Sequence, residues 1–249
     1  MNTKTKIKNF AIILASGSGA RFQSDVCPKH LNMIKGVPTV IWTLHSAIQS
    51  RLFEFIVVVT RDIDLDKTNK IVSKYFHVND LNLFSTIGGE DRMQSFFNGL
   101  SGIENKIKIS NLDLITLIDS NRPFCSVKQL IDLNDLAIKF GCSCPARPLV
   151  NGVAKIIDSK ITEVPPKEAF VEFVTPEIIQ YDLLMASVKK TSEVAFKSLV
   201  EFAINESVNP VYSQSSELNS KLTYPEDLLF LEGLVNKYNI EMPKEIKVE

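Results

Sequence analysis

Residues 10–22, FAIILASGSGARF, decide how the rest of the chain is read. The stretch opens as an unbroken apolar run, whereas a strand with one wet face alternates apolar with polar side chains, so this one reads as a strand buried on both faces. It ends abruptly in Gly17-Ser18-Gly19, and Arg21 and then Pro28-Lys29 follow closely. Glycines admit positive φ and a close backbone approach, so successive N–H groups can converge on phosphate oxygens while Arg21 and Lys29 supply formal charge. That is the layout of a triphosphate cradle. Taken alone, the turn fits a plain tight turn of a parallel sheet equally well.

Working outward, Val40, Ile41, Leu44, Ala47 and Ile48 fall at helical spacing and predict a helix over 39–50, followed by a β-branched strand, FEFIVVVT, at 53–60. The alternation then repeats: a helix over 65–76, a strand at 82–87, a helix over 91–103 with Phe96, Phe97, Leu100 and Ile103 on one face, and a strand at 112–118. Ser126 reads as the N-cap of a helix running to about Phe140. Strands this apolar, separated by helices, predict an α/β fold with a largely parallel sheet covered on both sides.

Between 145 and 175 the rhythm changes. Strands at 153–158 and 161–164 flank a turn at Asp158-Ser159-Lys160, and a third strand at 169–174 follows Pro165-Pro166, with no crossover helix. The apolar face of this excursion, Val153, Ile156, Ile161 and Val164, is large for a hairpin that would be marginal alone in water, so it is expected to pack on a second subunit. Two helices (177–187 and 193–206), a short strand at 208–212 and a terminal helix from Pro225 complete the chain, Glu226 and Asp227 suiting the positive end of the helix dipole. No repeat or long linker divides the sequence, which predicts one domain over 1–249 with an inserted β arm at 148–172.

Composition narrows the function. With 249 residues, 45% of them hydrophobic, the chain can bury a substantial core, and its net charge of −1 provides no footprint for duplex nucleic acid or an anionic membrane. Any polyanion it binds must be small. The basic start, MNTKTKIKN, leads into an apolar run too short for a signal peptide core or a membrane span, so a cytoplasmic protein is expected. Cys27, Cys125, Cys142 and Cys144 form no disulfide framework or zinc spacing, and Cys142 and Cys144 read as small core residues on one face of a strand. His30, His45 and His77 lie too far apart for a metal set and receive no chemical role.

The first loop is not a dinucleotide fingerprint, since Phe22 stands where the last glycine of G-x-G-x-x-G would, and no G-x-x-x-x-G-K-[ST] occurs anywhere. Three other stretches decide the matter: Gly88-Gly89-Glu90-Asp91-Arg92-Met93-Gln94-Ser95, Asp119-Ser120-Asn121-Arg122-Pro123, and Ser220-Lys221-Leu222-Thr223-Tyr224-Pro225-Glu226-Asp227-Leu228. Each falls in or beside a loop at the predicted carboxyl ends of the strands, the edge where open α/β sheets bind ligands. With the first loop they resemble the cytidylyltransferases that act on methylerythritol phosphate and ribitol phosphate, over 10–231.

The resemblance implies a Rossmann-like nucleotidyltransferase fold with a protruding arm, and it assigns roles. Ala15, Ser16, Gly17, Gly19, Arg21 and Lys29 would hold the CTP phosphates and the cytosine edge, and Gly89 and Ser95 would read the base. Asp119 would contact substrate hydroxyls or the ribose, with Arg122 supporting it, while Thr175 and Lys221 complete the reaction centre. The acceptor's phosphate would attack the α-phosphorus of CTP in line and expel pyrophosphate. A phosphate dianion needs no general base, so the protein's task is to hold two polyanions together and to neutralise charge. Arg21, Lys29 and Lys221 suit that task, and Mg²⁺ held mainly by the CTP phosphates would add to it; no protein-borne metal ligand is assigned. The partners implied are CTP, a small polyol phosphate and a second copy of the chain docked through the arm.

Departures concern the acceptor. Asn151 and Gly152, after Pro148-Leu149-Val150, stand where the family has an aspartate and a threonine that help bind the acceptor phosphate, and Lys167 replaces an arginine that reaches across the dimer to it. Glu177 stands where the family has glutamine, and Ser192-Glu193 replaces an acidic pair. Asp119-Ser120-x-Arg122-Pro123-Phe124 looks closer to the ribitol phosphate branch. Two further readings stay open at this point: a nucleotidyltransferase for another base or sugar phosphate, and a non-catalytic nucleotide-binding protein of the same fold.

Overall fold

The computed structural model describes residues 6–17, 28–78, 81–190 and 196–246. Strand β1 (Asn9–Leu14) leads through a short 3-10 turn at Lys29–Leu31 to a small ladder of β2 (Met33–Ile34) and β3 (Val37–Pro38). Then come α1 (Thr39–Ser50), β4 (Phe53–Thr60), α2 (Leu65–Tyr75), β5 (Leu83–Ile87), α3 (Arg92–Glu104), β6 (Leu114–Asp119), α4 (Val127–Phe140) and β7 (Cys142–Pro148). The arm carries β8 (Lys155–Ile157), β9 (Lys160–Glu163) and β10 (Val171–Phe173). The chain returns through β11 (Glu177–Gln180), α5 (Tyr181–Lys190), α6 (Leu199–Asn205), β12 (Val211–Gln214) and α7 (Asp227–Tyr238).

The main sheet runs β7-β11-β6-β1-β4-β5, with β10 and β12 both pairing β7. β1 lies between β6 and β4 and is parallel to both, while β11 is antiparallel to β6 and β7. Successive side chains of a strand face opposite sides, so β1 serves two cores at once. Ala11 and Ile13 join α1, α2 and α7, whereas Phe10 and Ile12 join α3, α5 and α6. This double burial is why the strand reads as continuously apolar. α3 lies especially close: a Cβ added at Gly99 would sit 2.7 Å from Ile12 Cγ2 and 2.8 Å from Val59 Cγ2. Helix capping follows the sequence, with Ser126 accepting from Gln129 N and Asp91 from Gln94 N.

Three boundaries differ from the sequence reading. Residues 177–180 form a strand rather than the first turn of a helix, because Ile178 and Ile179, both fully buried, fill opposite faces of a gap between β6 and β7 that only an extended segment can bridge. β12 starts after Pro210, whose missing N–H cannot enter the ladder. α7 starts at Asp227, since its carboxylate accepts from Thr223 N (2.7 Å) and Tyr224 N (2.8 Å) and closes a turn ahead of the helix. The helix expected over 193–206 is described only from Leu199, where Ser198 caps it; Ser192 and Glu193 lie outside the described residues.

The cysteines behave as expected of core residues. Cys125, Cys142 and Cys144 are free and buried, and Cys27 lies outside the described residues. β8 and β9 pair only with each other, and their apolar side chains stay exposed within one chain: Ile156 67%, Ile161 68% and, just beyond, Val164 71%. No helix among the described residues is long and apolar enough to cross a membrane.

Candidate active site

At the carboxyl edge of the sheet the ends of β1, β4 and β5 are tied together before any side chain acts: Ala15 N donates to Val59 O and Gly88 N to Thr60 O, each at 2.7 Å. A cavity of about 530 Å³ opens there, lined among the described residues by Ala15, Ser16, Gly17, Lys29, Gly89, Ser95, Asp119 and Lys221 from the sequence reading. Arg61, Arg92 and His30 also line it. Its size lies in the range of small-molecule sites. Gly19 and Arg21 lie outside the described residues.

Part of the lining is a hydroxyl notch. Ser16 Oγ donates to Ser95 Oγ (2.9 Å), and Ser95 Oγ accepts from Gly89 N (3.0 Å). Gly88 makes this contact sterically accessible, because a Cβ there would fall 2.7 Å from Ser95 Oγ and 2.8 Å from Ser16 Cβ. Gly17 is outside the left-handed region, and among the described residues a Cβ on it would meet nothing within 4 Å. Lys29 begins the 3-10 turn after Pro28, and the next residue, His30, is anchored by Nε2 3.0 Å from Thr68 Oγ1. Burial lowers His30 to about 4 despite nearby Asp64, so the ring is neutral at physiological pH.

The lining also carries a charge cluster. Asp119, the last residue of β6, takes Lys221 Nζ at 2.8 Å and Arg92 Nη2 at 3.1 Å on its two carboxylate oxygens. Burial would raise its pKa, but Arg92 and then Lys221 outweigh that and hold it at about 2. Arg92 projects from the first turn of α3, donates also to Lys197 O (2.6 Å) and faces Glu177 Oε1 at 3.5 Å. Burial disfavours its charge, yet the two carboxylates raise its pKa above the usual guanidinium value. Among the described residues no group of three or more His, Cys, Asp or Glu side chains is arranged to cage a metal.

Three sequence candidates stand back from the lining. Thr175 is buried and its Oγ1 accepts from Asp119 N (3.2 Å), so it shapes the backbone that carries the carboxylate. Arg122 donates through Nη1 to Asn219 O (2.7 Å), and Asn219 Nδ2 donates to Thr175 O (2.9 Å), which locks the 219–223 loop against β6 and thereby sets Lys221. Arg122 Nε and Asn219 Oδ1 are buried with no hydrogen-bond partner among the described residues. Lys167 lies on the exposed arm, donating to Val150 O (3.1 Å), and the fold does not bring it to the cavity of its own chain. Sequence reasoning missed Arg92, Arg61 and Glu177 as site groups. Arg92 was legible in principle, being a cation in the first turn of a helix that opens onto the strand ends; Arg61 and Glu177 carried no pattern of their own.

Comparison with known proteins places the chain among similar sequences and folds. A family profile described as 2-C-methyl-D-erythritol 4-phosphate cytidylyltransferase matches residues 9–237. Among similar proteins, the 2-C-methyl-D-erythritol 4-phosphate cytidylyltransferase of Thermosipho melanesiensis is 28% identical over 226 residues, covering 90% of this chain and 96% of that one. The protein of the same name from Dictyoglomus thermophilum is 26% identical over 235 residues, covering 92% and 97%. The crystal structure of 4-diphosphocytidyl-2C-methyl-D-erythritol synthase from Anaerococcus prevotii superposes with a TM-score of 0.75 at 23% identity, covering 92% of this chain and 96% of that chain, a likeness of fold.

Because the folded-state pKa of Asp119 is depressed below 3.8 to about 2, its stabilisation is present above the unfolded value and is lost as pH falls through the folded one. Asp119→Asn should therefore cost about 2 kcal/mol in urea unfolding at pH 5 to 6, and the gap from wild type should shrink by about half at pH 3. A gap that stays constant over that range contradicts the pairing.

Proposed function

The chain belongs to the 2-C-methyl-D-erythritol 4-phosphate cytidylyltransferase family, and from that premise we propose that it transfers CMP from CTP to a polyol phosphate, releasing pyrophosphate. The observation that supports this reading is the convergence of four stretches, separated in sequence, on one cavity lined by a hydroxyl notch and by a carboxylate paired with two cations. The notch suits the uncharged base: Gly89 and Ser95 offer backbone and hydroxyl groups to a cytosine edge, with Ala15 and Ser16 closing over it. Gly17, Gly19, Arg21 and Lys29 take the triphosphate.

The acceptor's phosphate then approaches the α-phosphorus from the Asp119 side. Lys221 neutralises charge on the α-phosphate, while Asp119 orients Lys221 and accepts hydrogen bonds from acceptor or ribose hydroxyls; Thr175 and Arg122 hold both in place. No side chain has to take a proton, because the attacking phosphate is already ionised near neutral pH. Mg²⁺ held mainly by the CTP phosphates would accompany the nucleotide. When bound, Mg²⁺ offsets charge on the departing pyrophosphate. Such an enzyme works in the cytoplasm, where its nucleotide is.

Methylerythritol 4-phosphate is the acceptor that the family description names. Ribitol 5-phosphate is a second reading, favoured by the 119–124 stretch and by Asn151 and Gly152 on the arm, which provide neither the carboxylate nor the hydroxyl of the resembled pattern. We also propose that two chains pair through the 148–172 arm, so that Ile156, Ile161 and Val164 are covered and Lys167 of each chain reaches its neighbour's acceptor phosphate.

Lys29→Ala and Lys221→Ala should each slow pyrophosphate release about a hundredfold, on the order of 3 kcal/mol of barrier, and Lys221→Ala should also lower the urea midpoint, since it leaves Asp119 paired with Arg92 alone. Assays with CTP, Mg²⁺ and methylerythritol, ribitol, xylitol or glycerol phosphate separate the acceptors; full turnover by either lysine variant would refute the site. For the arm, sedimentation equilibrium should give a dimer for the wild type and a monomer for Ile156→Asp/Ile161→Asp, and a wild-type monomer would end the dimer proposal.

A further inference from the structure

Glu177 is the second carboxylate of the cluster and the one with no part in the chemistry above. It is 2% exposed, at the start of β11, directly after Thr175-Pro176. Its Oε2 accepts from Leu199 N (2.6 Å) and Val200 N (3.3 Å), the opening N–H groups of α6, while Oε1 faces the Arg92 guanidinium at 3.5 Å. A buried charge is retained only where its partners are fixed, and this one is fixed on both sides. Arg92 in turn is held on three sides, by Glu177, by Lys197 O and by Asp119, and Asp119 carries Lys221.

We propose that Glu177 is a positioning residue for the transfer, acting through Arg92 to fix the Asp119 carboxylate and the Lys221 ammonium at the mouth of the cavity. The inference rests on the functional reading above and extends it to a residue outside the cavity lining. In this chain the contacts call for a carboxylate, where the resembled family carries glutamine. Both oxygens accept, one from backbone donors and the other from a guanidinium, whereas an amide, or a protonated acid, must turn a donor toward one of those donors. Neutralising Glu177 therefore loosens either Arg92 or the start of α6.

Burial, opposed by Arg92 and by the Val200 and Leu199 N–H groups, lifts the Glu177 carboxyl from 4.5 to about 7. The groups that face it from the packed elements are Arg92 on α3, Asp119 on β6, and Cys142 and Cys144 on β7. Arg92 stays charged, Asp119 stays ionised, burial raises Cys142 well above the usual thiol value, and burial pushes Cys144 to about 12, so between pH 6 and 8 Glu177 is the one member of this set that titrates. Positioning is then weak at pH 6 and complete at pH 8.

The experiment is a double-mutant cycle of Glu177→Gln and Arg92→Lys on kcat/KM for pyrophosphate release from CTP, with methylerythritol 4-phosphate and ribitol 5-phosphate as acceptors, between pH 6 and 8. Wild-type kcat/KM should rise across that range. Glu177→Gln should keep only the rise that the acceptor's own second phosphate ionisation, near about pH 6, brings; it should fall about tenfold below wild type at pH 8, mostly in kcat, and add less than about twofold to the loss in the Arg92→Lys background. Additive losses, or a pH profile unchanged in Glu177→Gln, overturn the proposal. The ¹⁵N resonance of Arg92 Nε–H, identified by its absence in Arg92→Lys, provides a readout independent of turnover: it should shift with pH near neutrality in wild type and stay flat in Glu177→Gln. A wild type that releases no pyrophosphate while this resonance still titrates refutes the functional reading and leaves the pinning of Arg92 intact; a resonance flat in both proteins refutes the pinning.

Discussion

The carboxylate of Asp119, buried at the end of β6 between Arg92 and Lys221, is the interaction on which the site depends. An unpaired charge at that depth would cost several kcal/mol, so the chain must deliver both cations to one point. That requirement ties together elements distant in sequence. α3 brings Arg92, the 219–223 loop brings Lys221, and Thr175 holds the backbone of Asp119 from the side of β11. Arg122 and Asn219 close the circuit by fastening that loop to Thr175. The pairing keeps the carboxylate ionised and in a single orientation, which suits a surface meant to receive an anionic substrate without reorganising.

The fold prepares this point by dividing labour between floor and rim. β1, β4 and β6 are parallel, largely apolar and packed into cores on both faces, with β5 paired to β4 at the sheet's edge, so their carboxyl ends form one supported floor. The rim is made of loops whose geometry is set by short polar contacts, such as the Ser16–Ser95 hydroxyl pair and the His30–Thr68 contact behind Lys29. At the acceptor side the chain departs most from the pattern it resembles, in Asn151, Gly152 and Lys167, all on the exposed arm.

Much of this was legible in the sequence because burial on both faces leaves an unmistakable trace. β4 and α1 fall where the β-branched run and the helical spacing placed them, and Ser126 caps α4 as its position indicated. The cavity gathers Ala15, Ser16, Gly17, Lys29, Gly89, Ser95, Asp119 and Lys221, as the strand-end loops implied. What failed was decided by tertiary contacts. Residues 177–180 carry a pattern compatible with a helix, and only the gap between β6 and β7 makes them extended. Arg92 and Glu177 look like ordinary surface charges in the sequence; their importance comes from partners supplied by Lys197, Leu199 and Asp119, which no local spacing reveals. Arg21 and Gly19 lie outside the described residues, so their place rests on the resemblance alone.

The most direct measurement is a crystal structure of the protein with Mg²⁺ and a non-hydrolysable CTP analogue. The expected result is cytosine against Gly89 and Ser95, the triphosphate running toward Lys29, and the Lys221 ammonium within hydrogen-bond reach of the α-phosphate while still paired with Asp119. A nucleotide bound away from this cavity, or bound in it with Lys221 and Asp119 facing the base, would contradict that arrangement.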